Sequence, residues 1–329
     1  MIPEPKKAAV ALALQHAFGV SQFEDVRILT GGLSTALVFR IVVRGNPYVL
    51  RVIMRDDAMS DPTRQFACMK VAQDAGLAPK VWYASVEDRT SITDFVEVQP
   101  WLENPVPLIA ETIRKIHSLP PFPKLLNYFD ALDGFVHRFQ ERKVLPENLT
   151  EDLFRLYAEL ARVYPRNDSD YVSCHNDLKP ENLLFDGDQI WLVDWEASFL
   201  NDRYLDLAVP ANFFLLTEAD EETYLRAYFG DPPGEYRRAR FFLMRQIAHI
   251  SYATVFMLLV ARSGTPIDPS LDAPHFRDFH QRLLAGQVTL SGDEARVQYA
   301  KLHLNEALKN MRTQRFQDAL AQVADRHRT

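Results

Sequence analysis

The sequence predicts an α+β chain, with strands gathered in its first third and helices in the rest. Three observations carry this. Short apolar runs broken by glycine and asparagine turns fill 26–97. From 106 onward, long segments place apolar residues at helical spacing. Between those helices one stretch, 171–208, reverts to strand and turn: YVSCHNDLKPENLLFDGDQIWLVDWEASFLNDRYLDLA. Strands followed by helices, rather than alternating with them, indicate α+β.

The elements follow in order. Residues 4–18 read as an amphipathic helix and 21–24 as a turn. VRILTGGLSTALVFRIVV gives a strand, a glycine-bearing turn and a second strand. Gly45-Asn46 makes the next turn, and 47–53 the third strand. Asp61-Pro62 opens a helix that runs to about Ala75 and ends at Gly76. Residues 80–85 and 90–97 are two more strands. VPLIAETIRKIHSL (106–119) is a helix stopped by Pro120-Pro121. Further helices are expected near 125–143, 148–163, 205–216, 219–229, 233–262, 274–285 and 292–326, with a surface loop at 262–270.

Composition narrows the class. With 329 residues the chain can build sizeable cores, and 47% hydrophobic with 25% charged residues is ordinary for a soluble enzyme. A net charge of −7 argues against a nucleic-acid partner, which wants a basic face. Cys68 and Cys174 stand far apart in apolar surroundings, so no disulfide framework is expected and a reducing cytosol is the simplest setting. The N-terminal AAVALAL run is short and interrupted by Gln15-His16, and the apolar stretch 251–261 is too short to span a bilayer. The expectation is therefore a cytoplasmic protein with no membrane partner.

The stretch 171–208 carries the chemistry. His175, Asp177 and Asn182 form H-x-D-x-x-x-x-N, and Asp194 closes the apolar strand that follows. The link LLFDGDQIWLVD reads as a hairpin about Asp186-Gly187, which brings Asn182 and Asp194 together; Asp186 and Asp188 are assigned to that turn. Taken singly, each Asp would read as a surface turn residue and Asn182 as a cap. Jointly, their order and spacing supply what phosphoryl transfer from ATP requires. A carboxylate, Asp177, would orient the acceptor hydroxyl and take its proton, and two oxygen-bearing groups, Asn182 and Asp194, would hold magnesium (Mg2+).

This ordered set resembles the catalytic loop of the protein-kinase-like fold. Asp194-Trp195-Glu196, Asn201-Asp202 and Asp206-Leu207-Ala208 are similar to the D-[WFY]-E and ND…DLA features of the aminoglycoside phosphotransferase and choline/ethanolamine kinase superfamily. The resemblance covers roughly 27–230. It implies a two-lobed fold: a small antiparallel-sheet nucleotide-binding lobe, 1–97, and a large helical lobe, 98–329, carrying catalysis and the acceptor site. It places Gly31, Gly32, Ser34, Thr35 and Arg51 on the phosphates of ATP and Asp94, Phe95 and Val96 at the adenine edge. His175 would brace the catalytic loop and Asp206 anchor it, with Glu196 a further supporting carboxylate. The helix after the third strand should carry a glutamate to pair with Arg51; the match here is Gln65, a departure.

The implied activity is ATP-dependent phosphorylation of a hydroxyl on a small-molecule acceptor. TGGLS and D-W-E lean toward choline, ethanolamine or a similar amino alcohol, with Trp195, Tyr204, Phe213 and Phe214 as candidate aromatic neighbours. An aminoglycoside, thiamine or a sugar stays open as acceptor. Gln65 also leaves open a catalytically weak nucleotide-binding module.

Overall fold

The computed structural model describes residues 2–29, 36–56, 60–166 and 171–326. Its N-terminal part is a five-stranded antiparallel sheet in the order β1-β2-β3-β5-β4. The strands are β1 (Asp25–Ile28), β2 (Ala36–Val43), β3 (Asn46–Ile53), β4 (Val81–Ser85) and β5 (Thr90–Asp94). Side chains alternate along a strand, so each strand offers two faces. One face, with Phe39 and Ile41 of β2, Leu50 and Val52 of β3 and Ile92 of β5, packs on Val10, Ala13 and Leu14 of helix α1 (Lys7–Phe18). The opposite face carries Val38, Val49, Arg51, Ser91 and Thr93, and these line a cavity. The alternation itself therefore turns Arg51 toward that cavity, opposite Val38 on one side and Ser91 on the other.

Helix α2 (Thr63–Asp74) begins where Asp61 accepts the Thr63 N–H at 2.9 Å. Its inner residues Cys68 and Ala72, with Leu77 and Ala78 beyond it, join the larger core of the helical part. That part contains α3 (Val106–His117), α4 (Tyr128–Glu141), α5 (Glu147–Val163), α6 (Arg203–Phe214), α7 (Glu218–Phe229), α8 (Glu235–Ser263), α9 (Phe276–Leu284), α10 (Asp293–Met311) and α11 (Gln314–Arg326). Two small antiparallel pairs lie among them. They are β6 (Tyr171–Cys174) with β9 (Phe199–Asp202), and β7 (Leu183–Phe185) with β8 (Ile190–Leu192).

Helix α8 is the axis of the helical part and packs on α4, α6, α10 and α11. By length and composition it could cross a membrane, yet 67% of its most apolar window is buried against its own chain. Neighbours surround it on most sides, and it buries Arg240, Gln246 and His249 along with its apolar residues.

The mixed α+β architecture matches the expectation. The structure corrects one element: 292–326 is two helices. The chain turns at 312–313, where Thr313 Oγ1 donates to the Asn310 carbonyl at 2.6 Å. Helix α11 then folds back and buries Phe316, Ala319 and Val323. No glycine or proline marks this turn, so helical spacing continues through it unbroken.

Candidate active site

A buried polar lattice shapes the loop between β6 and β7. Asp206, in the first turn of α6 and fully buried, accepts the backbone N–H groups of His175 at 2.7 Å and Asn176 at 2.6 Å. His117 Nε2 lies 3.2 Å from the same carboxylate. Asn176 takes a left-handed conformation, φ 66°. Its side chain donates to the carbonyls of Ala197 and Phe199 and accepts from Asn201 at 2.7 Å. His175 Nε2 lies 2.9 Å from the Val193 carbonyl, and its ring packs on Trp195. Asp202 caps α6 through the Tyr204 N–H and accepts from Arg240 of α8 at 2.5 Å. These bonds tie the loop and the 193–202 stretch to α3, α6 and α8, so Asp177 projects from a well-anchored frame.

Both oxygens of Asp177 are engaged. Oδ2 accepts from Lys179 Nζ at 2.8 Å and from Asn182 Nδ2 at 3.1 Å, and Oδ1 accepts from the Tyr252 hydroxyl at 3.0 Å. A carboxylate oxygen has two lone pairs, so Oδ1 retains one for a further donor. Burial alone would push this carboxyl up, but the charge and bond of Lys179, with His175 and the Tyr252 bond, together offset it, and the carboxyl is held below its ordinary range. Lys179 is correspondingly held above the ordinary range of an ammonium by Asp177, against its own burial.

Asn182 also donates from Nδ2 to the Asp177 carbonyl at 2.8 Å, which leaves its Oδ1 as the atom available to a cation. The Val193 N–H donates to the Asn182 carbonyl, so the β7–β8 hairpin brings Asn182 beside the Val193-Asp194 segment, as its turn residues predict. Asp194 is left-handed, φ 67°, and gives one oxygen, Oδ1, to Arg51 Nη1 at 2.8 Å. The donor set on offer is all oxygen, with one carboxylate oxygen outside that ion pair, and it fits a hard divalent cation.

Asn182, Asp194 and Arg51 share a cavity of about 330 Å³ with Asp94, Phe95, Val96, Gln65 and Trp195. Leu29 and Val38, hydrogen-bonded across the base of the first hairpin, line it as well. Gly31, Gly32, Ser34 and Thr35 lie outside the described residues. Asp94 spends its N–H on the Lys80 carbonyl and its carboxylate on Trp82. Glu196 is joined to Arg51, its Oε2 2.7 Å from Nη2, so the guanidinium has a carboxylate partner although Gln65 is neutral.

Sequence reasoning missed the residues around Asp177. Tyr252 and Phe256 of α8 and Tyr299 of α10 form a ring cluster, with Phe256 and Tyr299 centroids 4.7 Å apart and Tyr252 and Tyr299 6.0 Å apart. Tyr128 of α4 feels the Asp177 charge, and burial pushes its phenol up to about 12. These rings come from three separate helices, and no local spacing announces them. The aromatic residues named from the sequence take other places. Tyr204 lies under Arg240, Phe213 packs on Phe276 and His280, Phe214 packs on Trp101, and Trp195 packs on His175.

Known proteins resemble this chain in sequence and in fold. Protein LicA of Haemophilus influenzae is 37% identical over 76 residues, 23% of this chain and 27% of that protein. The match thus spans about a quarter of that curated relative's length. Among solved structures, a choline/ethanolamine kinase family protein from Mesorhizobium loti superposes with a TM-score of 0.69 at 20% identity, covering 97% of this chain and 99% of that one. Choline kinase LicA from Streptococcus pneumoniae gives a TM-score of 0.58 at 18% identity, covering 92% and 100%. These two likenesses show a shared fold. The profile of the phosphotransferase enzyme family matches residues 25–242, which takes in β1 through the motif to α8. With that profile spanning well over half of its length, the chain belongs to the phosphotransferase enzyme family.

Proposed function

We propose that this kinase transfers the terminal phosphoryl group of ATP, with magnesium (Mg2+), to the hydroxyl of a small amino alcohol such as choline or ethanolamine. The observation that carries the reading is Asp177, a carboxylate kept ionised by Lys179 and facing a cluster of aromatic rings. Asp177 orients the acceptor hydroxyl through the lone pair left on Oδ1 and takes its proton as the phosphoryl group departs. Asn182 Oδ1 and the Asp194 carboxylate would hold the cation, which would supply positive charge to offset that of the phosphates. Arg51 clamps phosphate oxygens from β3, and the 31–35 loop covers them. Asp94 to Val96 meet the adenine edge. His175 and Asp206 position the loop and touch no reacting atom. Two features favour an amino alcohol over a bulky sugar or aminoglycoside. Tyr252, bonded to Asp177, and Tyr128, near enough to feel its charge, set aromatic rings of the kind that bind substituted ammonium groups beside the carboxylate, and the names of the relatives point the same way. The reading places the protein in the cytoplasm, where ATP is found.

The test is the specificity constant, kcat/KM, across choline, ethanolamine, thiamine, methylthioribose and an aminoglycoside. Choline or ethanolamine should exceed the others by about tenfold or more, the scale on which one well-matched cation–aromatic site discriminates. Preference for the aminoglycoside or the sugar would remove the amino-alcohol assignment and leave the kinase assignment standing.

A further inference from the structure

Arg51 is held by two carboxylates of different standing. Asp194 Oδ1 lies 2.8 Å from Nη1 and Glu196 Oε2 lies 2.7 Å from Nη2. Asp194 is also the carboxylate best placed for a divalent cation, so the two cations compete for it. Glu196 is subject to no such competition from the Asn182 and Asp194 donor set. It sits on the 3-10 turn Trp195–Ala197, whose backbone is fastened to α2: Arg64 Nη2 donates to the Glu196 carbonyl at 2.7 Å and Nη1 donates to that of Ser198. One turn further along α2, Cys68 Sγ lies 3.9 Å from the Ser198 carbonyl.

Gln65, the neighbour of Arg64 in α2, is 7% exposed and lines the same cavity as Arg51, with its Nε2 lacking a hydrogen-bond partner. Helix α2 therefore reaches the Asp194–Ser198 segment through Arg64 and brings no charge to Arg51. Charge balance explains why a neutral side chain suits position 65. With Asp194 and Glu196 already beside one guanidinium, a third carboxylate would make a phosphate-binding cavity more repulsive to its polyanionic ligand.

We propose that Glu196 is the positioning residue for Arg51, supplying from the Asp-Trp-Glu turn the carboxylate that Gln65 does not supply from α2. The inference rests on the reading of Arg51 as a phosphate-binding residue. When a divalent cation draws on Asp194, Glu196 keeps the guanidinium aimed into the cavity instead of letting its long stem swing away.

The experiment compares the wild-type chain, Glu196→Gln, and the double variant Glu196→Gln with Gln65→Glu. Because 43% of the Glu196 side chain is exposed, the single variant should keep the wild-type thermal midpoint. Two readouts are taken, both with magnesium: ADP affinity by calorimetry, and KM for ATP against kcat. Glu196→Gln should weaken ADP about tenfold and raise KM more than it lowers kcat, the scale expected of a charge-assisted pair that is partly exposed. Adding Gln65→Glu should return both readouts to within about threefold of wild type, since a carboxylate on α2 then takes over the pairing. A single variant equal to wild type in both readouts overturns the proposal, as does a folded double variant that binds ADP no better than the single one. Wild-type chain that binds ADP but phosphorylates no acceptor would count against the function proposed above, while the ADP titration still decides the role of Glu196.

Discussion

At the scale of single residues, the account turns on how Asp177 is kept ionised. Its carboxyl sits below the ordinary range because Lys179, together with His175 and Tyr252, outweighs the cost of burial. A depressed carboxyl supplies base at every pH above its folded value and loses it as pH falls through that value. Replacing Lys179 with Ala leaves burial unopposed by its largest counterweight, so the acidic limb of the kcat/KM profile should move to higher pH. A pH–rate profile of the two proteins reads this directly, and an unmoved limb would separate Asp177 from the rate. Asp177, Asn182 and Asp194 were legible as a set in the sequence, because their chemistry demands fixed residue types over a short span. The Arg51–Glu196 pair was not: its members stand 145 positions apart, and only the sheet register and the turn after β8 bring them together.

At the scale of elements, α8 joins the catalytic loop to the helical core. Arg240 and Asp202 form a buried pair, 2% and 4% exposed, with the guanidinium also over the Tyr164 and Tyr204 rings. Arg240→Met removes one partner and leaves a carboxylate buried with less compensation, so urea unfolding should show a loss of about 3–5 kcal/mol. A loss below about 1 kcal/mol would mean that α6 and β9 do not depend on α8 for their anchoring. The same helix carries His249, whose Nδ1 lies 2.8 Å from His303 Nδ1 of α10. Burial, with the Arg245 charge adding to it, lowers His249 to about 3; burial also lowers His280 to about 4 and His303 below its ordinary value. For a base lowered on folding, the unfolded chain binds more protons below about pH 6.5, so stability is full above that pH and declines as pH falls toward the folded values. The chain should lose about 2 kcal/mol for each of His249 and His280 between pH 7 and pH 5. His303→Gln should flatten that slope in a series of thermal midpoints, and an unchanged slope would take His303 out of the acid response.

At the scale of the whole molecule, the order of elements was legible because strands and helices occupy separate stretches with different periods. Its limits have physical reasons. Helix α11 reverses direction after α10 without any breaker residue, since packing of Phe316 and Val323 on the core rewards the turn that Thr313 makes. The rings around Asp177 come from α4, α8 and α10, which the chain reaches at well-separated positions, and only tertiary packing assembles them. The molecule as described places a cavity of about 330 Å³ beneath the sheet, the Asp177 carboxylate on the β6–β7 loop and an aromatic cluster beyond it.

The central claim is that Asp177 is the base of a magnesium-dependent phosphoryl transfer to a small hydroxyl acceptor. The most direct measurement is acceptor- and magnesium-dependent release of ADP by wild type and by Asp177→Asn, with choline as acceptor. The account predicts turnover by the wild type and a fall in kcat of about a thousandfold in the variant, with KM for ATP changed by no more than about threefold. A variant that keeps more than about a tenth of the wild-type kcat would contradict it, since a residue so replaceable is not the group that takes the proton.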